Sequence, residues 1–253
     1  MLYFLIPLSI FFLGTIYGSF LNVIIYRLPL NKSIITPRSF CFNCKSTIPF
    51  YNNIPLLSFL IQKGKCFNCK INISYQYPII ECLTGWLFVL SYYCVYPINP
   101  IESIFFCIIS GLLLSIALID YKFFVIPLSL IITILIINTI FIIFFSNKLF
   151  YSHFYGSLYG LGYLSIVFII TWLMTKKQPM GFGDLQLIII LGLWLGTFKV
   201  LLTIFFGSIL GLVYFVVIST LKNNNNNIKL PFGTFLCIAA IIFYLIPANW
   251  EFI

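Results

Sequence analysis

The chain has 253 residues, of which 62% are hydrophobic and 8% charged, with a mean hydropathy of +1.11. Soluble domains carry about 25% charged residues, so composition excludes an ordinary soluble enzyme and points to a protein that lives in a bilayer. The formal net charge of +9 is spread over four loops with no recognition motif beside them, which argues against nucleic acid as a partner.

A helix crosses the hydrocarbon core in about 20 residues. On that measure eight segments are predicted to be transmembrane helices: 3–26, 78–96, 102–120, 128–146, 156–174, 185–198, 201–220 and 232–248. Their apolar runs are continuous and lack the alternation of a membrane β-barrel. The fold class is therefore an all-α polytopic membrane protein in contact with membrane lipid. The first segment has neither a basic start nor a small-x-small cleavage site, so it reads as a retained transmembrane helix (1–26) rather than a signal peptide.

The next stretch, 27–77, is the one sizeable polar region. It contains CFNC at 41–44 and CFNC again at 66–69, with 21 residues between the pairs. Two Cys-x-x-Cys pairs can place the thiolates of Cys41, Cys44, Cys66 and Cys69 around one tetrahedral zinc. Disulfides and free thiols are the competing readings. A loop with too little apolar surface for a core gains folding free energy from such a metal. It is expected to form a small zinc-knuckle-like domain, followed by the remaining helices and their catalytic core over 78–253.

Further along, Glu81 is the acidic residue at the start of the second segment, where it either caps that helix or serves a cofactor site. The third segment ends on Asp120. Small-xxx-small spacings at Gly156/Gly160, Gly192/Gly196 and Gly207/Gly211 let helices approach closely. The sixth segment opens with GFGD, closing on Asp184, and is divided from the seventh near Lys199. Gly181 and Gly183 offer backbone conformations closed to other residues and room for a substrate backbone. Asn223 to Asn227 read as a flexible linker before the eighth segment. Cys82, Cys94, Cys107 and Cys237 lie in apolar segments and read as packing thiols.

With residue 1 outside, twelve of the fourteen basic residues fall on the inner face, leaving Lys148 and Lys199 outside. The positive-inside bias then puts the cysteine loop, Lys122, Lys176, Lys177, Lys222 and Lys229 in the cytoplasm. The same topology brings Asp120 and Asp184, the only aspartates in the chain, to a similar depth. Two carboxylates sharing a proton can polarise water with one member and protonate a scissile carbonyl with the other. The sole histidine, His153, is on the opposite face, so it cannot activate an inner-face serine or cysteine. Asp184 opens a helix and Asp120 ends one, which makes Asp184 the more readily ionised member on dipole grounds.

The chain resembles the prepilin peptidases, the leader peptidase/N-methyltransferases of type IV pilus and type II secretion systems. The resemblance rests on GSFLNVIIYRLP at 18–29, the doubled CxxC loop, NIPLLSFL at 53–60 and YPIIECLTG at 77–85. IDYKFFVIP at 119–127, GFGD at 181–184 and LPFGTFL at 230–236 continue it, in order, nearly end to end. It implies a bacterial inner-membrane GxGD aspartic endopeptidase with Asp120 and Asp184 as its dyad. Its substrates would be prepilins or pseudopilins, cut on the cytoplasmic side to remove a basic leader. The new N-terminal residue would be methylated with S-adenosylmethionine as donor. Gln186, Leu128 and the first knuckle, which lacks a proline, depart from the family pattern. No methyl-donor motif or oligomeric state is legible. A GxGD protease without methyl transfer is the alternative, and a proton-coupled transporter is the rival from another class. A transporter should show internal repeats or interrupted midplane helices, and the sequence shows neither.

Overall fold

In lipid a chain has no water to satisfy its backbone, so each long run of Leu, Ile and Phe must close its own hydrogen bonds as a helix. A computed structural model describes residues 2–145, 150–176, 178, 180–221 and 229–246, with side chains from residue 5. Lys148, Lys177, Lys222 and Asn223 to Asn227 lie outside the described residues. The regular structure among the described residues is helical: α1 (Leu2–Arg27), α2 (Leu57–Ile61), α3 (Gln76–Cys94), α4 (Pro100–Phe123), α5 (Leu128–Phe145), α6 (Phe150–Thr175), α7 (Phe182–Leu221) and α8 (Phe232–Leu245). Every apolar segment of the sequence falls on one of these helices, the sixth and seventh sharing α7. By length and composition, five of them (α1, α4, α5, α6 and α7) can cross a membrane. The chain divides into two compact units, Met1–Gly111 and Leu112–Ile253, with α4 running through the boundary.

In the first unit, α1 and α3 pack backbone to backbone. A methyl group on Gly14 would lie 2.7 Å from the Thr84 carbonyl oxygen, and one on Gly18 would lie 2.8 Å from the Glu81 α-carbon. Asn22 completes the contact by donating from Nδ2 to the Tyr77 carbonyl at 3.2 Å. Thus GSFLN and YPIIECLTG, far apart in sequence, are two halves of one helix crossing. Asn99 caps α4, its Oδ1 accepting from the amides of Ile101 and Glu102. The region between α1 and α3 holds two 3₁₀ turns, the short α2 and two isolated β-bridges, Phe40 with Thr47 and Lys65 with Asn72.

In the second unit, α7 is two antiparallel arms. Ile188 and Val200 both place side-chain carbons within 3.3 Å of the point where a methyl on Gly160 would sit. A straight helix would separate those residues by about 18 Å. The reversal is at Gly196 (φ 76°, ψ −179°), ahead of the boundary expected near Lys199. Gly156 and Gly192 make the α6 contact so close that a methyl on either would lie within 2.6 Å of the other's carbonyl oxygen. Asn138 ties α5 to the first arm by donating to the Ile190 carbonyl at 3.2 Å. The second arm packs on α8 through Gly207 and Gly211, which face Leu236 and Phe235. Cys237 is buried in this core, whereas Cys94, expected to be a packing thiol, is exposed.

Candidate active site

Asp120 sits in the last turn of α4, and Asp184 in the first turn of α7; both are buried. The chain leaves α4 through Phe124, which adopts a left-handed conformation (φ 55°) and donates its amide to the Asp120 carbonyl at 2.8 Å. That turn lands Ile126 against two glycines, Gly183 and Gly233. A methyl on Gly233 would lie 3.1 Å from Asp120 Oδ2, 3.3 Å from Asp184 Oδ1 and 2.8 Å from Ile126 Cδ1. The two carboxylates therefore converge on the α-carbon of Gly233.

α8 begins after Pro231, which offers no side-chain cap. Asp120 takes that role from another helix: the Thr234 amide donates to its Oδ2 at 2.8 Å. The Thr234 hydroxyl lies 3.1 Å from the same oxygen and 2.9 Å from the Ala117 carbonyl. With one hydrogen to give, that hydroxyl can donate to an ionised Asp120, or donate to Ala117 and accept from a protonated one. Each carboxylate thus meets a helix N-terminus, Asp184 its own and Asp120 that of α8. The dipole asymmetry inferred from sequence, in which Asp184 alone enjoyed a helix start, is removed by this packing.

The glycines of GFGD also work differently from the expectation. Among the described residues the glycines with positive φ are Gly64 and Gly196, so neither Gly181 nor Gly183 uses a conformation reserved for glycine. Gly183 is small because Ile126 Cβ would lie 3.1 Å from its methyl, while Gly181 has only ordinary contacts, the nearest being Asp184 Oδ2 at 3.5 Å. Sequence reasoning missed Ile126, Gly233 and Thr234 as site residues. Their signal was present in IDYKFFVIP and LPFGTFL, but it names a role only once α8 is docked. Gln186 is exposed.

The cysteine loop builds two copies of one knuckle. Cys41 and Cys66 each accept an amide hydrogen bond from a following lysine, Lys45 or Lys70, and each donates its own amide to the next residue's carbonyl, Ser46 or Ile71. Both lysines are left-handed, at φ 60° and φ 58°. Cys41, Cys44, Cys66 and Cys69 are brought together with their sulfurs all within 4.8 Å of one another, and Cys41 and Cys69 are 3.7 Å apart. Four sulfurs about 2.3 Å from a tetrahedral metal would stand about 3.8 Å apart, so the cluster fits a metal ion. All four thiols are free rather than paired in disulfides. The Ser46 hydroxyl and amide hold Cys44 down at about 6. The Ile71 amide lowers Cys69. At Cys41 the Cys44 amide acts to lower the thiol, but burial and the neighbouring thiols prevail and push it up to about 11. A cluster that resists its last deprotonations in this way is one that a cation would complete.

Glu81 does not cap its own helix. It is buried in the second turn of α3, and its Oε2 accepts the Leu56 amide at 2.8 Å, holding the entry to α2.

Comparison with known proteins matches the regions that hold these two clusters to two family models. The model of the bacterial peptidase A24 N-terminal domain matches residues 12–95, and that of the type IV leader peptidase family matches residues 107–216. A prepilin leader peptidase/N-methyltransferase of Legionella pneumophila is 32% identical, over 89% of this chain and 86% of its own length. The protein of that name from Neisseria gonorrhoeae is 31% identical, over 98% and 93%. The one from Klebsiella pneumoniae is 35% identical, over 74% and 84%. No solved structure matches the chain. Two family models in chain order, relatives aligned over most of their length and paired buried aspartates lead to one conclusion: the chain belongs to the type IV leader peptidase family.

Proposed function

We propose that the chain is an inner-membrane aspartic endopeptidase that removes the basic leader of type IV prepilins or pseudopilins on the cytoplasmic side, then N-methylates the new N-terminal residue. The observation that carries this reading is the convergence of the Asp120 and Asp184 carboxylates at Gly233. One carboxylate takes a proton from the attacking water while the other gives one to the scissile carbonyl, and the two then exchange roles. Gly181, with only ordinary contacts around it, leaves room beside them for the substrate backbone, while Gly183 lets Ile126 pack against the site. The substrate's own apolar helix lies in the lipid beside the enzyme, and its binding energy positions the junction at the dyad.

The cytoplasmic orientation follows from the basic loops. On this reading residues 1–26 are the first membrane helix, 27–77 a metal-stabilised subdomain and 78–253 the remainder with the peptidase core. Cys41, Cys44, Cys66 and Cys69 hold one structural zinc, and S-adenosylmethionine supplies the methyl group when bound. The test is purified protein with a prepilin-like peptide and S-adenosylmethionine, followed by mass spectrometry. Leader release and then a gain of one methyl group are expected. Asp120→Asn and Asp184→Asn should each lower cleavage by about 10²–10⁴-fold, the worth of a positioned acid or base. Cleavage surviving in both variants overturns the dyad.

A further inference from the structure

A cavity of about 970 Å³ lies in the first unit among α1, the cysteine loop and α3, and neither aspartate lines it. Small-molecule sites run from about 300 to 1,000 Å³, so it is large enough for a nucleoside with an amino-acid tail. Its lining carries a single carboxylate, Glu81, and a single guanidinium, Arg27. Arg27 Nη1 donates to the Ser33 carbonyl and Nη2 to those of Pro37 and Arg38, leaving one Nη1 hydrogen and Nε for a ligand. Aromatic rings stand in the same wall, with Tyr26 and Phe42 4.4 Å apart between centroids and Phe40 5.6 Å from Phe42.

Two amides in that wall are unfinished. Asn22 Nδ2 donates to the carbonyls of Gly18 and Tyr77, which fixes the amide's orientation and leaves its Oδ1 buried without a partner. Asn52 Nδ2 is likewise buried without a partner. Buried polar atoms are nearly always paired, so an orphan acceptor and an orphan donor beside one cavity call for an occupant. Next to the wall, Leu56 is held at φ 58°, ψ −49° with its amide on Glu81. Such a conformation is rare away from glycine and persists where the surroundings impose it.

We infer that this cavity is the binding site for the methyl donor S-adenosylmethionine. Glu81 is the anionic partner of its cationic sulfonium and ammonium groups, and the N–H groups that Arg27 does not give to the loop carbonyls face its carboxylate. Asn22 and Asn52 supply the acceptor and donor for its polar edges, and the rings of Tyr26, Phe40 and Phe42 take the adenine face. A lipid chain filling the same space would have no use for this set. The inference rests on the methyl-transfer reading above and says where that reaction's donor sits.

The test uses the full-length protein in detergent, titrated calorimetrically with S-adenosylmethionine and with S-adenosylhomocysteine, which lacks the sulfonium charge. Glu81→Gln keeps an acceptor for the Leu56 amide and removes only the charge. It should weaken S-adenosylmethionine at least tenfold, and S-adenosylhomocysteine about threefold or less. Asn22→Leu should weaken both about tenfold. An unchanged preference in Glu81→Gln, with wild-type affinity in Asn22→Leu, overturns the assignment. Hydrogen exchange on the wild-type protein gives a check that needs no variant: S-adenosylhomocysteine should slow exchange across 40–58. Binding with protection only elsewhere overturns this placement and leaves methyl transfer standing. A wild-type chain that binds neither compound overturns both.

Discussion

At Gly233 an added side chain would have nowhere to go. Ile126 and both catalytic candidates already occupy the surroundings of its α-carbon, so Gly233→Ala must push at least one carboxylate away. A misplacement near 1 Å can cost about 10²-fold in rate, and overpacking costs about 1–3 kcal/mol in stability. The expected result is cleavage reduced about 100-fold with a thermal midpoint lowered by only a few degrees, read by peptide assay and thermal unfolding. Thr234 is the second residue to probe, because its hydroxyl touches Asp120 while its amide does so independently. Thr234→Val should slow cleavage about tenfold, the worth of a hydrogen bond to a charged group. Thr234→Ser should restore the rate, and a Ser variant as slow as the Val variant would remove the hydroxyl from the mechanism.

At the scale of elements, the α7 hairpin decides where Asp184 stands. Its first arm leads away from Asp184 to Trp194, which stacks on Tyr244 of α8 with centroids 4.4 Å apart and planes 13° from parallel. The reversal at Gly196 then returns the second arm alongside α6 and α8. With φ 76° and ψ −179°, Gly196 occupies a region that is essentially reserved for glycine. Gly196→Ala is expected to destabilise by about 1–3 kcal/mol and to lower the unfolding midpoint, with cleavage falling in parallel as the arm loses its register against α8. An alanine variant of wild-type stability would mean that the turn is not built as described.

At the scale of the whole molecule, the chain keeps its two clusters in two compact units, the four cysteines in one and the aspartates in the other. The loop has two β-bridges, two 3₁₀ turns and one short helix for regular structure, so metal binding should supply much of its folding free energy. Purified protein is expected to contain about one zinc per chain, fitting four thiolates around one tetrahedral ion. Chelation should open residues 41–72 to protease first and leave the fragment bearing α5 to α8 as resistant as before. Equal resistance of the loop with and without chelator would show that the thiols are not a structural metal site.

The sequence by itself determined the class of this protein. Continuous apolar runs can only be helices in lipid, doubled CxxC pairs announce a four-thiol cluster, and two lone aspartates at one depth announce a shared site. These signals are local or depend on order along the chain, so one dimension suffices to read them. Tertiary structure alone decided that Gly233 stands between the two aspartates and that Asp120 caps α8 through Thr234. It likewise brought Asn22, Asn52 and Glu81 to one cavity and turned Glu81 from its own helix to the Leu56 amide. These facts join residues up to 114 positions apart. A glycine kept for the approach of a distant carboxylate looks, along the chain, like any glycine that lets two helices touch.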